Sequence, residues 1–332
     1  MNIITTTAIS KSFAKQVAKS PNGSFATRFK ELFSSPTIKT RVLNNIDLQV
    51  EAGEFIGLLG SNGSGKSTLL KLLTGILIPD SGSIEILGLN PVTDRKKYTA
   101  NIGVVFGQKS LLWWNVPIIE SFKLYASIYR LSAKERDSRI EELSALLGLG
   151  EILFSPPRKL SLGQRMKAEI AASLLHKPSL IFLDEPTIAL DPVSRINLMN
   201  FLYDLNQNEG TTILFTSHNM ADVHNYCKRC VILNDGSVIY DGKTEELIAF
   251  ENYKTLELKT ESDFDIALLS DFEYEQIDSN WYKIKASYND IHKAFSSLAF
   301  NKAVTDLNVS PPTLDSAVSH FMKKSEAYKN AS

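Results

Sequence analysis

Short β-type apolar runs alternate with helical patterns through the middle of the chain. The β-type runs are residues 55–59, 102–106, 180–183, 212–216 and 231–233, and the helical patterns are residues 67–73, 134–147, 164–176 and 193–208. Such alternation is typical of a largely parallel sheet covered by helices. An Ile- and Thr-rich run at residues 2–10 predicts one more strand.

A basic stretch interrupts the pattern at residues 11–41. It carries basic residues at Lys11, Lys15, Lys19, Arg28, Lys30, Lys39 and Arg41 against the single acid Glu31. Within it, apolar residues fall on one helical face: Phe25, Phe29, Leu32 and Phe33. We interpret residues 14–41 as a basic insertion with a short amphipathic helix. That helix either packs on its own domain or contacts a membrane surface or a membrane-embedded partner.

The character of the chain changes again after about residue 250. Strand-like runs at 254–259, 281–286 and 303–309 and helical patterns at 288–299 and 314–322 predict a small α+β appendage. We therefore expect an α/β domain over residues 1–250 and an appendage over 251–332.

Composition restricts the classes of function. The chain has 332 residues with a formal net charge of −1. Because the protein lacks an overall positive charge, we do not expect a nucleic-acid partner. No apolar run reaches the roughly 18–20 residues that cross a bilayer. We expect a cytosolic protein that acts at a membrane only through a partner. Cys227 and Cys230 are interpreted as buried core thiols, because a zinc site would need two more ligands.

A phosphate-binding loop stands between one apolar strand and one helix. Gly60 to Ser67 match G-x-x-x-x-G-K-[ST], after FIGLL and before STLLKLLTG. Backbone N–H groups of such a loop and the helix N-terminus bind phosphate oxygens. The predicted nucleotide contacts are Ser61, Asn62, Gly63, Ser64, Gly65, Lys66, Ser67 and Thr68. Lys66 is the expected partner of the outer phosphates, and Ser67 the expected Mg²⁺ ligand.

Two adjacent acids end a second buried strand, Leu180 to Asp184. Neighbouring carboxylates at a strand end are costly unless they meet a cation or solvent. Beside a phosphate-binding loop, Asp184 is the expected Mg²⁺ partner. Glu185 is then positioned to orient or deprotonate an attacking water.

Further motifs in a fixed order resemble the ABC ATPase family. Lys159-Leu-Ser161-Leu-Gly163-Gln164 is similar to the LSGGQ signature, and it precedes the acidic strand as in that family. The remaining matches are Gln108 with the glutamine loop, Asp191 with the D-loop and His218 with the switch histidine. Together the motifs cover about residues 42–245.

The resemblance implies a P-loop NTPase fold with a RecA-like core, an antiparallel β subdomain and a helical subdomain. It implies an ATPase with ATP and Mg²⁺, in which Gln108 joins Ser67 and Asp184 at the metal. Glu185, His218, Lys66 and Gln108 are the implied catalytic residues. Ser161 and Gly163 are implied to bind the γ-phosphate of ATP held by a second copy or a homologous cassette, and Gln164 and Asp191 are further implied nucleotide contacts. Leu162 stands where LSGGQ has its first glycine, while the serine and the second glycine of the signature are kept.

An aromatic residue before the phosphate-binding loop stacks on adenine in this family. Phe13, in SKSFAK, has the matching context, but the insertion separates it from the loop. Phe13 is therefore either the adenine platform or a core aromatic. A residue of the insertion is the alternative candidate for the platform.

The segment QKSLLWWNVP resembles an exporter subgroup of the ABC-2 type, related to drug and viologen exporters. The resemblance implies separate ABC-2 permease subunits and attachment to the cytoplasmic face of the membrane. Trp113 and Trp114 are either docking residues or core residues. Two alternatives stay open: an importer ATPase, and a soluble ABC ATPase that acts on ribosomes or DNA.

Overall fold

The structure is a computed structural model that describes residues 1–16, 37–107, 110–188, 190–261 and 264–331. The chain divides into two compact units, Met1–Asp241 and Gly242–Ser332. The short amphipathic helix predicted around residues 25–33 of the basic insertion lies outside the described residues.

The first unit contains strands and helices in mixed order. Its strands are β1 (Asn2–Gln16), β2 (Thr37–Glu51), β3 (Phe55–Gly60), β4 (Ser81–Ile86), β5 (Ile102–Phe106), β6 (Leu180–Asp184), β7 (Thr212–Thr216), β8 (Arg229–Asn234) and β9 (Ser237–Lys243), the last ending at the start of the second unit. Its helices are α1 (Lys66–Leu73), α2 (Arg95–Thr99), α3 (Ile118–Ile128), α4 (Ala133–Leu147), α5 (Leu162–Leu174), α6 (Pro192–Glu209) and α7 (Met220–Tyr226).

A six-stranded sheet in the order β5-β6-β7-β3-β8-β9 forms the centre of this unit. Strands β5, β6, β7, β3 and β8 pair in parallel. Every residue of β3 and β7 is buried, as expected for parallel strands covered on both faces. The predicted strands and the parallel α/β core are thus confirmed.

A second, antiparallel sheet in the order β2-β1-β4 packs against α1 and the central sheet through one shared apolar core. Here one prediction was wrong. Residues 11–16 and 37–41 do not interrupt the fold but extend β1 and β2, with Phe13 opposite Thr40 and Gln16 opposite Thr37. Backbone hydrogen bonds between antiparallel strands do not require alternating side chains, so polar residues can continue the hairpin.

The second unit contains α8 (Thr244–Ala249), β10 (Tyr253–Thr260), β11 (Glu273–Asp278), β12 (Trp281–Ser287), α9 (Ile291–Ala299), β13 (Val304–Ser310) and α10 (Leu314–Ala331). Its antiparallel sheet has the order β11-β12-β10-β13. Leu256, Leu258 and Ile284 of that sheet share a core with Ala294 and Leu298 of α9. Helix α8, which precedes the expected boundary at residue 250, groups with this unit and contacts α10.

Two composition-based expectations can be compared with the described chain. In the part that the structure describes, no helix is long and apolar enough to cross a membrane. Cys227 and Cys230 are both buried, and burial raises the pKa of the Cys227 thiol. The core interpretation of these thiols agrees with their burial.

Truncation tests the position of the boundary. We expect a chain of residues 1–243 to melt cooperatively, because it keeps β9 and removes α8 together with its partner α10. A chain of residues 1–250 leaves Leu247, which is fully buried in the intact protein, without that partner. We expect this longer chain to aggregate more readily in light scattering during a thermal melt. A cooperative melt for residues 1–250 but not for 1–243 would place the boundary after α8.

Candidate nucleotide site

The loop between β3 and α1 takes backbone angles that favour glycine. Gly60, Gly63 and Gly65 have φ values of 153°, 84° and 106°. A Cβ on Gly60 would lie 2.3 Å from the carbonyl oxygen of Leu233, and one on Gly65 would lie 2.6 Å from Leu43 Cδ2. At Gly63 nothing lies within 4 Å of such a carbon, so the loop backbone is open there. Helix α1 has no side-chain cap, which leaves its first N–H groups for an anion.

Lys66 lies folded against this loop. Its side chain is buried, and Nζ donates to the carbonyl oxygens of Gly60 at 2.8 Å and Ser61 at 3.1 Å. Burial lowers the pKa of Lys66, while the charges of Glu185 and Asp184 raise it. In the described part of the chain the buried hydroxyl of Ser64 has no hydrogen-bond partner. A cation and an unpaired donor beside an open loop fit a polyphosphate.

The other predicted loop contacts surround this cradle. Ser61 and Asn62 are exposed, and Ser67 and Thr68 are half-buried in the first turn of α1. All of them therefore lie in the loop after β3 or in the first turn of α1. This stretch can hold the phosphates of a nucleotide.

Asp184 joins α1, β6 and β7 at the carboxyl edge of the sheet. Its Oδ1 accepts hydrogen bonds from Ser67 Oγ at 3.1 Å and Thr216 Oγ1 at 2.8 Å. Among the described residues, no group of three or more His, Cys, Asp or Glu side chains could hold a metal ion. A Mg²⁺ here would take the Ser67 hydroxyl and the Asp184 carboxylate as oxygen ligands and would depend on phosphate oxygens for others.

Glu185 directly follows this strand in a left-handed backbone conformation, with φ of 54°. Its N–H donates to Thr216 Oγ1 at 2.9 Å, and its Oε1 lies 2.5 Å from His218 Nε2. The two side chains line a cavity of about 300 Å³ together with Ser217 and Asn219. Non-glycine residues with positive φ concentrate at functional sites, where the surroundings hold the strain. A water molecule in this cavity could exchange a proton with Glu185 or His218.

Thr216 is a residue of the site that sequence patterns did not single out. One hydroxyl donates to Asp184 and accepts from the N–H of Glu185, so it holds both acids. The only sequence signal is its place before Ser217 and His218. Its role becomes visible through the parallel register, which pairs Asp184 with Thr216.

Gln108, predicted as a metal ligand, lies outside the described residues. The preceding strand β5 pairs Phe106 with Asp184, and the N–H of Gly107 donates to the Asp184 carbonyl oxygen at 3.3 Å. The chain therefore leaves the sheet beside Asp184, immediately before Gln108.

The signature-like residues form the start of α5. Ser161 caps this helix and exchanges hydrogen bonds with Gln164, at 3.2 Å and 3.0 Å. A Cβ on Gly163 would lie 3.2 Å from Leu190 Cδ2, so this glycine permits close approach to the D-loop segment. Leu162 is 37% exposed. None of the hydrogen bonds found among the described residues joins Ser161 or Gln164 to the phosphate-binding loop.

Asp191 and Phe13 lie at the edges of this arrangement. Asp191 caps α6 by accepting from the N–H of Ser194 at 3.0 Å, and its pKa is lowered by the hydrogen bonds with Ser194. Phe13 is 41% exposed, and Lys11 Nζ lies 5.9 Å from its ring centroid. The exposed ring does not agree with a core aromatic.

Comparison with known proteins identifies the family. The family description "ABC transporter" matches residues 43–188. The ABC transporter ATP-binding protein NatA of Bacillus subtilis is 34% identical over 216 residues, which cover 65% of this chain and 87% of that protein. The chain belongs to the ABC transporter ATP-binding proteins.

Two further relatives act in opposite directions. The methionine import ATP-binding protein MetN 2 of Enterococcus faecalis is 33% identical, covering 66% of this chain and 64% of the relative. The bacitracin export ATP-binding protein BceA of Halalkalibacterium halodurans is 34% identical, covering 64% and 85%. Relatives of this cassette thus include an import and an export protein.

A solved structure places the fold in the same family. It is a dimeric post-hydrolysis ATP-binding cassette with ADP and Pi bound, with a TM-score of 0.60 and 26% identity over 72% of this chain and 98% of that one. The predicted α/β cassette fold is confirmed. This ABC cassette is an ATPase subunit of a transporter and binds ATP with Mg²⁺. Cassettes of the family dimerise and work with transmembrane subunits.

Thr216→Val tests whether the shared hydroxyl positions the two acids. The change leaves the N–H of Glu185 unpaired, at about 1–3 kcal/mol of stability, and frees Asp184 to shift. We expect ATPase turnover to fall about 10- to 100-fold, since a misplacement of about 1 Å can cost on the order of 10²-fold.

The matched control is Thr212→Val at the other end of β7. The Thr212 hydroxyl accepts the N–H of Gly53 at 2.9 Å and is far along the strand from the acids. We expect this variant to lose melting temperature but keep its turnover. Equal turnover in the two variants would show that Thr216 stabilises the strand without positioning the site.

Proposed function

We propose that this ATPase powers export through separate ABC-2 type permease subunits at the cytoplasmic face of the membrane. The observation that carries the proposal is an exposed tryptophan pair in a segment that resembles the exporter subgroup. Trp113 and Trp114 are 56% and 52% exposed. We define residues 110–114 as the docking segment.

The docking segment has a fixed backbone and free aromatic surface. The N–H of Trp113 donates to Ser121 Oγ at 3.1 Å, and the carbonyl oxygen of Trp114 accepts the N–H of Arg158 at 3.4 Å. Half of each side chain nevertheless faces solvent. This exposure supports the docking interpretation over core packing, because rigid aromatic side chains are frequent anchors of interfaces.

More apolar surface lies close to the same turn. Phe154 is 75% exposed, and its neighbours Leu153 and Ser155 accept the N–H groups of Ile119 and Ile118, four to five residues after Trp114. Exposed apolar patches on a folded domain often mark an interaction site. A permease loop or helix with apolar side chains would fit this patch.

The proposed direction of transport rests on the resemblance of residues 108–117, QKSLLWWNVP, to the exporter subgroup. The relatives include both an importer and an exporter protein, so overall similarity does not favour either direction. The WWNVP sequence favours export. An importer ATPase is the second candidate, and the MetN 2 likeness is the observation that favours it.

For hydrolysis we propose distinct roles for the residues around the phosphate-binding loop. Lys66 leaves the loop carbonyls to neutralise the outer phosphates, and Ser67 and Asp184 hold Mg²⁺. Glu185 orients and deprotonates the attacking water, and His218 holds the γ-phosphate and that water. Positioning and charge neutralisation suffice, and no covalent intermediate is required.

The remaining site residues act between copies or at the edges of the site. We propose that Ser161, Gly163, Gln164 and Asp191 contact ATP held by a second cassette, because within one chain they lie on helix starts outside the phosphate cradle. Gln108 joins the metal. Phe13 serves as the adenine platform, supported by its exposed ring on the hairpin whose Leu43 adjoins Gly65.

Replacing both tryptophans by alanine tests the export proposal. We expect Trp113→Ala with Trp114→Ala to keep the ATPase activity and melting temperature of the isolated subunit. Recovery with the membrane fraction should fall, since loss of an aromatic anchor can weaken binding about thirtyfold or more. Identification of the co-purified membrane protein would show whether it is an ABC-2 permease.

Trp281→Ala is the matched control for this experiment. Trp281 is 37% exposed and lies in the second unit. We expect its loss to leave membrane recovery unchanged. Collapse of stability in the double variant would restore the core interpretation of the pair, and a co-purified substrate-binding protein would favour import.

A further inference from the structure

Glu169 is a buried acid that the hydrolytic site does not use. It lies on α5 and is 4% exposed. Its carboxylate accepts the hydroxyl of Ser110 in a short hydrogen bond and the N–H of Leu111 at 2.6 Å. Burial raises the pKa of Glu169, whereas those two hydrogen bonds and the charge of Arg165 lower it. The acid therefore joins the signature helix directly to the docking segment.

A second contact joins the same two elements. The guanidinium carbon of Arg165 lies 6.0 Å from the ring centroid of Trp114, within the range of a cation–π interaction. Arg165 and Glu169 are four residues apart, so they lie on one face of α5. Ser161, four residues before Arg165, caps the start of the same helix. One helix face thus carries the signature serine and both contacts to the docking segment.

Hydrogen bonds on both sides of Leu111 hold the docking segment, and the next residue, Leu112, is buried. A cavity of about 340 Å³ is lined by Ser110, Leu111 and Tyr125. The hydroxyl of Tyr125 donates to the carbonyl oxygen of Leu111 at 2.8 Å. Leu111 is thus held on its N–H side by Glu169 and on its C=O side by Tyr125. The hydrogen bonds to Glu169 therefore give the segment a directional link to α5 beside this open space.

We propose that Glu169 is a positioning residue that transmits movement of the signature helix to the docking segment. When Ser161 engages the nucleotide of a second cassette, α5 moves as a rigid element. The carboxylate of Glu169 carries Ser110 and Leu111 with it, and Trp113 and Trp114 follow. The inference rests on the proposed role of Ser161 and its helix at the ATP-bound dimer interface.

Intrinsic fluorescence tests this coupling in the full chain. The protein has three tryptophans, so Trp281→Phe leaves Trp113 and Trp114 as the only tryptophans, which are excited selectively at the red edge of the absorption band. Glu185→Gln is added to slow hydrolysis, and MgATP is the probe. We expect MgATP to change the tryptophan emission in this background. Adding Glu169→Ala should abolish that change in emission. Dimer formation, measured by light scattering, should persist.

Three further variants separate coupling from stability. Ser110→Ala removes the hydroxyl that donates to Glu169. Because Ser110 is exposed, this substitution should reduce the emission change without creating a cavity in the core. Glu169→Gln keeps an acceptor for Leu111 and should retain more of the change than Glu169→Ala. Glu142→Ala, on α4 and paired with Arg139 at 2.8 Å, is the control and should retain it fully.

The outcomes separate this inference from the proposed function. Dimer formation with an undiminished emission change in both Glu169→Ala and Ser110→Ala would overturn the inference alone. Dimer formation without any emission change in the Glu185→Gln background would do the same. Failure of that background to dimerise with MgATP would remove the proposed role of the signature helix and the inference with it.

Discussion

The double hydrogen bond to Asp184 is the interaction on which the site depends. A single carboxylate oxygen accepts the hydroxyls of Ser67 and Thr216. These three residues come from the start of α1, the end of β6 and the end of β7. The bonds therefore fix the phosphate-binding loop against the acidic strand. Thr216 Oγ1 also accepts a hydrogen bond from the N–H of Glu185, so the same cluster holds the backbone of the second acid.

Electrostatics in this cluster are arranged for a ligand with several negative charges and a cation. Lys66 is buried near two carboxylates, and its Nζ donates hydrogen bonds to carbonyl oxygens of the loop. Such bonds are replaceable by stronger, charge-assisted ones to phosphate. Mg²⁺ would offset the charge of Asp184. The signature residues Ser161 and Gln164 are exposed at the start of α5, which agrees with the proposed contact to ATP held by a second copy.

How much the sequence predicts differs from one part of the chain to another. The glycine loop and the acidic strand end are visible because both chemistry and strand pattern are local. The sequence pattern predicts an interruption where β1 and β2 form a hairpin, because Lys11 to Gln16 lack an apolar period although they pair in the sheet. The shared role of Thr216 depends on the β6–β7 register, which no local pattern contains. Glu169 looks like an ordinary polar residue of a helix until the fold brings Ser110 to it.

Separate measurement of nucleotide binding and turnover in Glu185→Gln tests the central claim that this cluster binds and hydrolyses ATP. The account predicts near-normal MgATP binding, because the phosphate-binding loop, Lys66 and Asp184 are intact. Turnover should fall roughly 10²- to 10⁴-fold, the usual contribution of a positioned base. Normal turnover in a folded variant would contradict the account, and so would loss of MgATP binding together with turnover.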